Sequence, residues 1–428
     1  MVIIMNIYAG YSRTIITPSY SMPMAGYDGR KMNSAGVHDD LYANCLVIKT
    51  GNDILAILSL DVLGVDDFLS NRIKAGILHE YEDINKDGVF VCATHNHSGP
   101  SCIFYGRNNY DESYVNFLAG KCIEAFRSAV KSLEKSNISV ISTSIHDVAA
   151  RRNINICMQQ KKLKCSSILV EQINGRKIIL VNFPCHMTVL DENNLYYTRD
   201  LLYYVQKQFM YNGLEMLVYV NGAAGDISTR YTKKAASFEE AERLGRYFGS
   251  QLINAVNNRT GHIATNHIQY TSIDFQAFYR KQPTGSEKAV RRSYIESKLK
   301  EESNEKAKRN LESALLVLER KEIDFSQGPG IFQINDRYYK QIRINIAVLG
   351  DIVMISIPFE MYYSTGEKIE AILKSKFNCS NVIIAGYCNG YLGYVPPEES
   401  FKGISYETEA CLFESDTEAR LLSSISNA

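Results

Sequence analysis

Two histidines, His95 and His97, follow an apolar stretch and are the side chains of this sequence best placed to do chemistry. Residues 89–93 are apolar, which predicts a strand buried on both faces, and Gly99 and Pro100 then end the regular structure. On an extended chain, residues i and i+2 point to the same side, roughly 7 Å apart. Both imidazoles could therefore reach one metal ion or one substrate. The alternative is a hydrogen-bonded polar pair at a strand end.

Further polar groups follow other predicted strands. They are His186 after residues 177–184, Asp226 and Ser228 after 216–220, Glu360 after 342–357, and Tyr391 and Tyr394 after 381–385. In α/β folds, ligand sites collect beyond the carboxyl ends of strands, so these groups predict one shared site. Two histidines and a carboxylate form a common catalytic zinc set. A buried core role for His186 and a simple turn at Gly225-Asp226 remain open alternatives, whereas Ser228 lacks a nucleophile-elbow motif.

The elements that must position these groups predict an α/β fold with mixed multi-stranded sheets flanked by helices and a metal site at the strand carboxyl ends. The predicted strands are residues 54–65, 89–93, 137–148, 177–184, 216–220, 267–278 and 381–385, and residues 342–357 are predicted to form a strand pair around Gly350-Asp351. The predicted helices are residues 66–82, 111–135, 201–210 and 237–257, the last opened by a capping box from Ser237 to Glu240.

Two stretches fit this alternation less well. Residues 8–50 are interrupted by proline and glycine, which predicts a winding edge segment. Residues 281–321 are dense in charge and sparse in apolar positions, which predicts solvated helices inserted on the outside of a single domain, 1–428. A partner-binding arm is the alternative for this insertion.

Composition restricts the classes of partner and compartment. The 428 residues include 47 basic and 47 acidic side chains, so charge gives no indication of nucleic acid or an anionic membrane surface. The sequence contains no run of 18 apolar residues, and it begins without the features of a signal peptide. Ten cysteines without Cys-x-x-Cys spacing predict reduced thiols in a cytoplasmic protein.

Several of these motifs resemble one known family. Thr94-His-Asn-His-Ser-Gly-Pro100 resembles the Thr-His-Thr-His-Ser-Gly-Pro signature of neutral (non-lysosomal) ceramidases. The later motifs follow in the family's order: His186 after its strand, Gly225-Asp-Ile-Ser228 for Gly-Asp-x-Ser, Pro358-Phe-Glu360 for Pro-Gly-Glu, Tyr391-Leu-Gly-Tyr394-Val for Tyr-x-x-Tyr-Val, and Tyr406. The resemblance spans nearly the whole chain.

This resemblance implies a zinc ion and a set of site residues. The implied zinc ligands are His95, His186, Glu360 and Tyr394. His97 would then contact the substrate, with Ser228 and Tyr406 lining the substrate side and Arg151 or Arg152 supplying an expected arginine.

The sequence also departs from the family. It does not continue into the family's C-terminal immunoglobulin-like domain, it shows no signal peptide, and Thr229-Arg230 stand where Pro-Asn is usual. We therefore expect a zinc-dependent amide hydrolase that cleaves an N-acyl bond through metal-activated water, with a small soluble N-acylated amine favoured over ceramide. His97 is by position the candidate to carry the proton. The alternatives are a zinc-dependent esterase and a non-catalytic binding protein of the same fold.

Overall fold

An eight-stranded mixed sheet forms from the first half of the chain in the computed structural model, which describes residues 6–103, 111–152, 162–259, 265, 267–320 and 330–428. Its strands, in spatial order, are Met216–Asn221, Lys177–Phe183, Lys162–Gln172, Glu134–His146, Ile7–Ile15, Tyr42–Thr50, Asp53–Leu60 and Val89–Ala93. The first two and the last two strands pair in parallel, and the other neighbours pair antiparallel.

A five-stranded sheet forms from the second half. It contains Ile268–Phe278, Arg337–Leu349, Ile352–Ser356 and Asn381–Ala385 in that order, with Ile331–Ile334 paired to the second of these. Two-residue strand pairs then join distant loops: Gly36–Val37 with Tyr196–Tyr197, Ala150–Arg151 with Ile227–Ser228, and Glu360–Met361 with Tyr394–Val395.

The two sheets pack face to face and helices cover their outer faces, which gives four layers. Asp67–Glu80, Glu112–Lys131, Leu201–Tyr211 and Phe238–Asn257 cover the large sheet, whereas Tyr363–Phe377 and Thr417–Asn427 cover the small one. Alternate side chains of one strand serve both faces of the large sheet, because Leu46 and Ile48 enter the core between the sheets while Cys45 and Val47 face the helices. The predicted α/β class with helix-flanked mixed sheets is confirmed.

Two local predictions are wrong. Residues 8–50 are not a winding edge segment, because Ile7–Ile15 and Tyr42–Thr50 are neighbouring interior strands of the large sheet and only the residues between them wind. At the helix Phe238–Asn257, the Ser237 side chain accepts from the Glu240 amide, but Glu240 Oε1 accepts from the Lys234 amide instead of completing a capping box.

The charged segment that is predicted to be an insertion forms two helices, Gly285–Glu301 and Glu305–Leu318. Their few apolar side chains converge, because Ile295, Ala314 and Leu318 are buried together against Ile404. Thr284 and Glu287 form a capping box at the start of the first helix. Residue 321, the last of the predicted insertion, lies outside the described residues.

No helix in the described ranges is long and apolar enough to cross a membrane. The nine cysteines in those ranges are all buried, and none of them forms a disulfide.

Candidate metal centre

His95 lies two residues beyond the strand Val89–Ala93, in a backbone conformation that the sequence does not predict. Its φ is 63°, in the left-handed region, so the chain is not extended here and the i, i+2 geometry expected from the sequence is wrong. The amides of Thr94 and Asn96 donate to Leu60 and Val62 and hold this turn in place. The imidazole is buried, with Nδ1 2.8 Å from the Leu63 carbonyl oxygen.

His186 reaches the same point from a strand next to the opposite edge of the large sheet. It follows the strand Lys177–Phe183, and its ring centroid lies 4.4 Å from that of His95. Its Nδ1 lies 2.8 Å from the Ala224 carbonyl oxygen and 3.0 Å from that of Ile227. The two histidines therefore have the same arrangement, with Nδ1 fixed on backbone carbonyls and Nε2 directed into the site.

Glu360 and Tyr394 are brought together by backbone pairing. They occupy one register position of the parallel pair formed by Glu360–Met361 and Tyr394–Val395. Glu360 Oε2 lies 3.0 Å from His186 Nε2 and 3.4 Å from His95 Nε2, while the Tyr394 hydroxyl lies 3.3 Å from His186 Nε2. The second carboxylate oxygen, Oε1, accepts a 2.6 Å hydrogen bond from the Tyr391 hydroxyl.

The Gly-Asp-x-Ser motif has a structural part in this arrangement. A Cβ on Gly225 would lie 2.6 Å from the Glu360 carbonyl oxygen, so only glycine allows this close approach. Asp226 Oδ1 accepts from the Tyr363 amide at 2.7 Å, at the start of the helix Tyr363–Phe377. Asp226 therefore holds the helix and the loop together.

His97 differs from the other two histidines because both of its ring nitrogens are buried without a hydrogen-bond partner among the described residues. Its ring lies 4.8 Å from that of His95 and 5.6 Å from that of His186. Gly26, whose φ is 102°, packs directly against the His97 ring, and a Cβ at Gly26 would lie 2.5 Å from His97 Nδ1. One nitrogen from each of the three histidines lies within 4.8 Å of the others, so together they could hold a metal ion.

The donor set fits a cation for an electrostatic reason. Because Nδ1 of His95 and of His186 faces carbonyl oxygens, which only accept, Nδ1 carries the proton and Nε2 presents a lone pair. Burial lowers the pKa of both imidazoles, so neither ring takes a second proton at neutral pH. The Nε2 lone pairs of His95 and His186 then lie 3.0–3.4 Å from a Glu360 carboxylate oxygen, and these electron-rich atoms repel one another. A divalent cation bound between them would turn this repulsion into attraction.

The remaining predicted residues surround a cavity of about 600 Å³ that adjoins this centre. Its walls include His97, Arg152, Ser228, Tyr394 and Tyr406. The Tyr406 ring meets that of Tyr394 edge-on at 5.5 Å.

Of the two arginines that the sequence leaves open, Arg152 faces the site. Its Nη1 donates to the Tyr394 hydroxyl at 3.2 Å and to Glu407 Oε1 at 3.0 Å, and the Arg152–Glu407 pair is buried. Arg151 instead pairs with Asp226, with its Nε 3.7 Å from Asp226 Oδ2.

Two features of this site have no recognisable sequence signal. Glu407 holds Arg152 through a contact that depends on the tertiary fold. The helix Glu305–Leu318 of the charged insertion also contributes a cavity wall, including Arg309 and Leu316. The insertion therefore lies beside the site and is more than a solvated exterior segment.

Comparisons with known proteins support the resemblance seen in the motifs. Residues 8–162 match a family model described as the N-terminal part of neutral/alkaline non-lysosomal ceramidases. Among solved structures, a neutral ceramidase from Pseudomonas aeruginosa aligns with a TM-score of 0.78 at 16% identity, over 99% of this chain and 74% of that one. A ceramidase complexed with C2 aligns with a TM-score of 0.76 at 14% identity, over the same shares of the two chains. No curated protein sequence matches.

The predicted resemblance to neutral ceramidases is thereby confirmed, over residues 8–162 by sequence and over nearly the whole chain by fold.

Proposed function

We propose that this ceramidase-like chain is a zinc-dependent amide hydrolase that cleaves the N-acyl bond of a small N-acylated amine. The family match and the shared fold support amide hydrolysis as the reaction class. One observation carries the proposal: the buried Nε2 atoms of His95 and His186 direct their lone pairs at the same carboxylate oxygen of Glu360. These groups repel one another unless a cation lies between them.

Zinc is the metal that suits these donors best. Zn²⁺ accepts imidazole nitrogen and carboxylate oxygen, and a catalytic zinc can expand from four ligands to five when a reactant binds. We assign His95, His186, Glu360 and Tyr394 as the ligands. A bound Zn²⁺ supplies Lewis-acid chemistry, because it polarises a carbonyl group and lowers the pKa of a water molecule.

The chain's own residues position the reactants and move the proton. His97 lies on the cavity wall, and neither of its ring nitrogens has a hydrogen-bond partner among the residues that the structure describes. It is therefore placed to take a proton from the attacking water and return it to the leaving amine. Arg152 fixes the Tyr394 hydroxyl and is itself held by Glu407. Ser228 and Tyr406 form the substrate side of the cavity. Water and the amide thereby become a carboxylic acid and an amine.

The experiment is a metal analysis followed by a turnover assay. Purified protein is expected to hold about one zinc per chain and to hydrolyse members of a panel of N-acyl amines, with turnover lost on chelation and restored by zinc. His95→Ala should lose both zinc and turnover. Matched esters, included in the panel, separate an esterase from an amidase. Stoichiometric zinc without turnover of any acyl substrate would instead identify a binding protein and refute the proposal.

We also propose a cytoplasmic location. The nine unpaired, buried thiols of the described ranges support it, since reduced cysteines are the rule in that compartment.

A further inference from the structure

Arg230 is a charged residue of the cavity wall that the proposed mechanism does not use. It lies two residues beyond Ser228, in the short 3₁₀ turn Thr229–Tyr231, and its amide donates to Ser228 Oγ at 3.3 Å. It shares the cavity wall with His97 and Tyr394. A group bound by Arg230 would therefore lie within the same cavity as the candidate metal centre.

Among the described residues, no carboxylate forms an ion pair with the Arg230 guanidinium. Its Nη1 is buried and has no hydrogen-bond partner among the described residues. Burial lowers its pKa, and the neighbouring Arg152 lowers it further. The Glu407 carboxylate stabilises the Arg230 charge from nearby, but it is already paired with Arg152, whose Nη1 lies 3.0 Å from Glu407 Oε1. Because an arginine stays protonated in proteins, an unpaired positive charge remains at the wall of this cavity.

Two other cations reinforce this charge. Lys233 Nζ donates to the carbonyl oxygens of Thr188 and Val189 at 2.7 and 2.9 Å, which leaves its charge without a bonded carboxylate. Asp200 and Asp191 stabilise the Lys233 charge, whereas Arg309 and Arg230 oppose it, so the three cations are neighbours along the cavity wall.

Acidic side chains also line the cavity, but none of them bonds to Arg230. Asp28 forms an ion pair with Arg320, and Asp191 accepts from the Asn193 amide at 3.0 Å. Glu305 pairs with Lys308. The remaining acidic lining residues are Glu192 and Glu312. An anion brought by a ligand is therefore the missing partner of the Arg230 guanidinium.

We propose that Arg230 binds an oxyanion of the substrate, so that this protein prefers N-acylated amines that carry a carboxylate or phosphate beside the amide, as N-acyl amino acids do. The proposal rests on the proposed amide hydrolase function and assigns its substrate class. Guanidinium suits this task, because its planar fork matches carboxylate and phosphate oxygens. A neutral acyl amine would leave the buried Nη1 donor of Arg230 unpaired.

A matched substrate series tests the preference. N-Hexanoylglycine, N-hexanoyl-phosphoethanolamine and N-hexanoylethanolamine share an acyl group and differ in carrying a carboxylate, a phosphate or a hydroxyl. We expect kcat/KM of the wild-type protein to be at least about tenfold higher for one of the two anionic substrates than for the neutral one, the size of one charge-assisted hydrogen bond. The better anionic substrate identifies which oxyanion the site takes.

Variants assign the preference to Arg230. Arg230→Met should lower kcat/KM for the preferred anionic substrate about 10- to 100-fold and leave the neutral one within about threefold. Arg230→Lys, which keeps the charge but not the fork, should fall between. Arg246→Met is the matched control, since Arg246 is exposed on the helix Phe238–Asn257 and pairs only with Glu242 there.

A binding measurement separates this proposal from the proposed function. Ketone analogues of the three probes, with methylene in place of the amide nitrogen, cannot be hydrolysed and are titrated calorimetrically. Tighter binding of an anionic analogue, lost in Arg230→Met, supports Arg230 even if no amide is turned over.

Two results overturn the proposal. The first is equal binding and equal kcat/KM for neutral and anionic probes. The second is a loss in Arg230→Met and Arg230→Lys that is the same for all three probes.

Discussion

Tyr391→Phe tests whether the Tyr391 hydroxyl orients Glu360 for metal binding. The hydroxyl donates a 2.6 Å hydrogen bond to Glu360 Oε1 and thereby leaves Oε2 directed at the two Nε2 atoms. A hydrogen bond to a charged acceptor contributes about 1.5–3 kcal/mol, and each 1.4 kcal/mol is a factor of ten in affinity. We therefore expect the zinc dissociation constant to rise about 10- to 100-fold, which is the usual range for a partner of a ligand.

Tyr387, a second tyrosine near the site, provides the control. Tyr387 packs on His95 with ring centroids 4.2 Å apart, but its buried hydroxyl has no hydrogen-bond partner in the described part of the chain. Tyr387→Phe keeps the packing and removes only this unused hydroxyl, so zinc affinity should change by less than about threefold.

The assay is competition between each protein and a fluorescent zinc chelator, with zinc content measured by mass spectrometry. Equal zinc affinity in Tyr391→Phe and Tyr387→Phe would refute the reasoning, because it would show that Glu360 does not need this hydroxyl or does not bind the metal.

Three further predictions concern stability. Glu407→Gln should lower the free energy of unfolding by about 3–5 kcal/mol in chemical denaturation, because it leaves the buried Arg152 charge without its partner. Gly26→Ala should cost about 1–3 kcal/mol in the same measurement, since the new methyl group would overlap the His97 ring and the φ of 102° disfavours alanine. Asp200→Asn should flatten the pH dependence of the free energy of unfolding, because burial raises the pKa of Asp200 from 3.8 to about 6. The stability that the protonated carboxyl contributes is present below pH 4 and is lost as the pH rises through 6. The variant should therefore gain about 3 kcal/mol of stability relative to the wild type between pH 4 and 7.

Each of these has a result that contradicts it. Glu242→Gln breaks an exposed i, i+4 pair and should cost no more than about 0.5 kcal/mol, so an equal loss in Glu407→Gln would contradict the buried-charge argument. Unchanged unfolding of Gly26→Ala would mean that the His97 loop adapts freely. Parallel pH profiles of Asp200→Asn and the wild type would show that Asp200 titrates normally in the folded protein.

The sequence predicts the elements that have one clear periodicity. The strand Val89–Ala93 and the helix Glu112–Lys131 lie where their patterns indicate. The strand Ile7–Ile15 is hidden because its polar side chains are used inside the fold: Ser12 Oγ and Thr14 Oγ1 donate to backbone carbonyls of the helix packed on it. Such contacts break the expected alternation of apolar and polar residues, so the pattern resembles a loop.

The sequence predicts which residues lie at the site, but it does not predict the geometry in which they meet. The motifs indicate which residues could form the site. The fold brings a Glu360 carboxylate oxygen within 3.0–3.4 Å of Nε2 of His186 and His95, and the Tyr394 hydroxyl within 3.3 Å of His186 Nε2. The left-handed backbone at His95 follows from surrounding hydrogen bonds and has no local signal of glycine or asparagine. Their assignment as zinc ligands stays a prediction.

The pairing of Glu360–Met361 with Tyr394–Val395 has a consequence for biosynthesis. The four assigned donors are spread from residue 95 to residue 394. A nascent polypeptide that emerges from the ribosome amino terminus first cannot assemble this donor set until residue 394 has been synthesised. We therefore expect the proposed zinc ion to bind only after residue 394 has left the ribosome, and zinc starvation to lead to apoprotein that contains all four donors instead of stalled fragments.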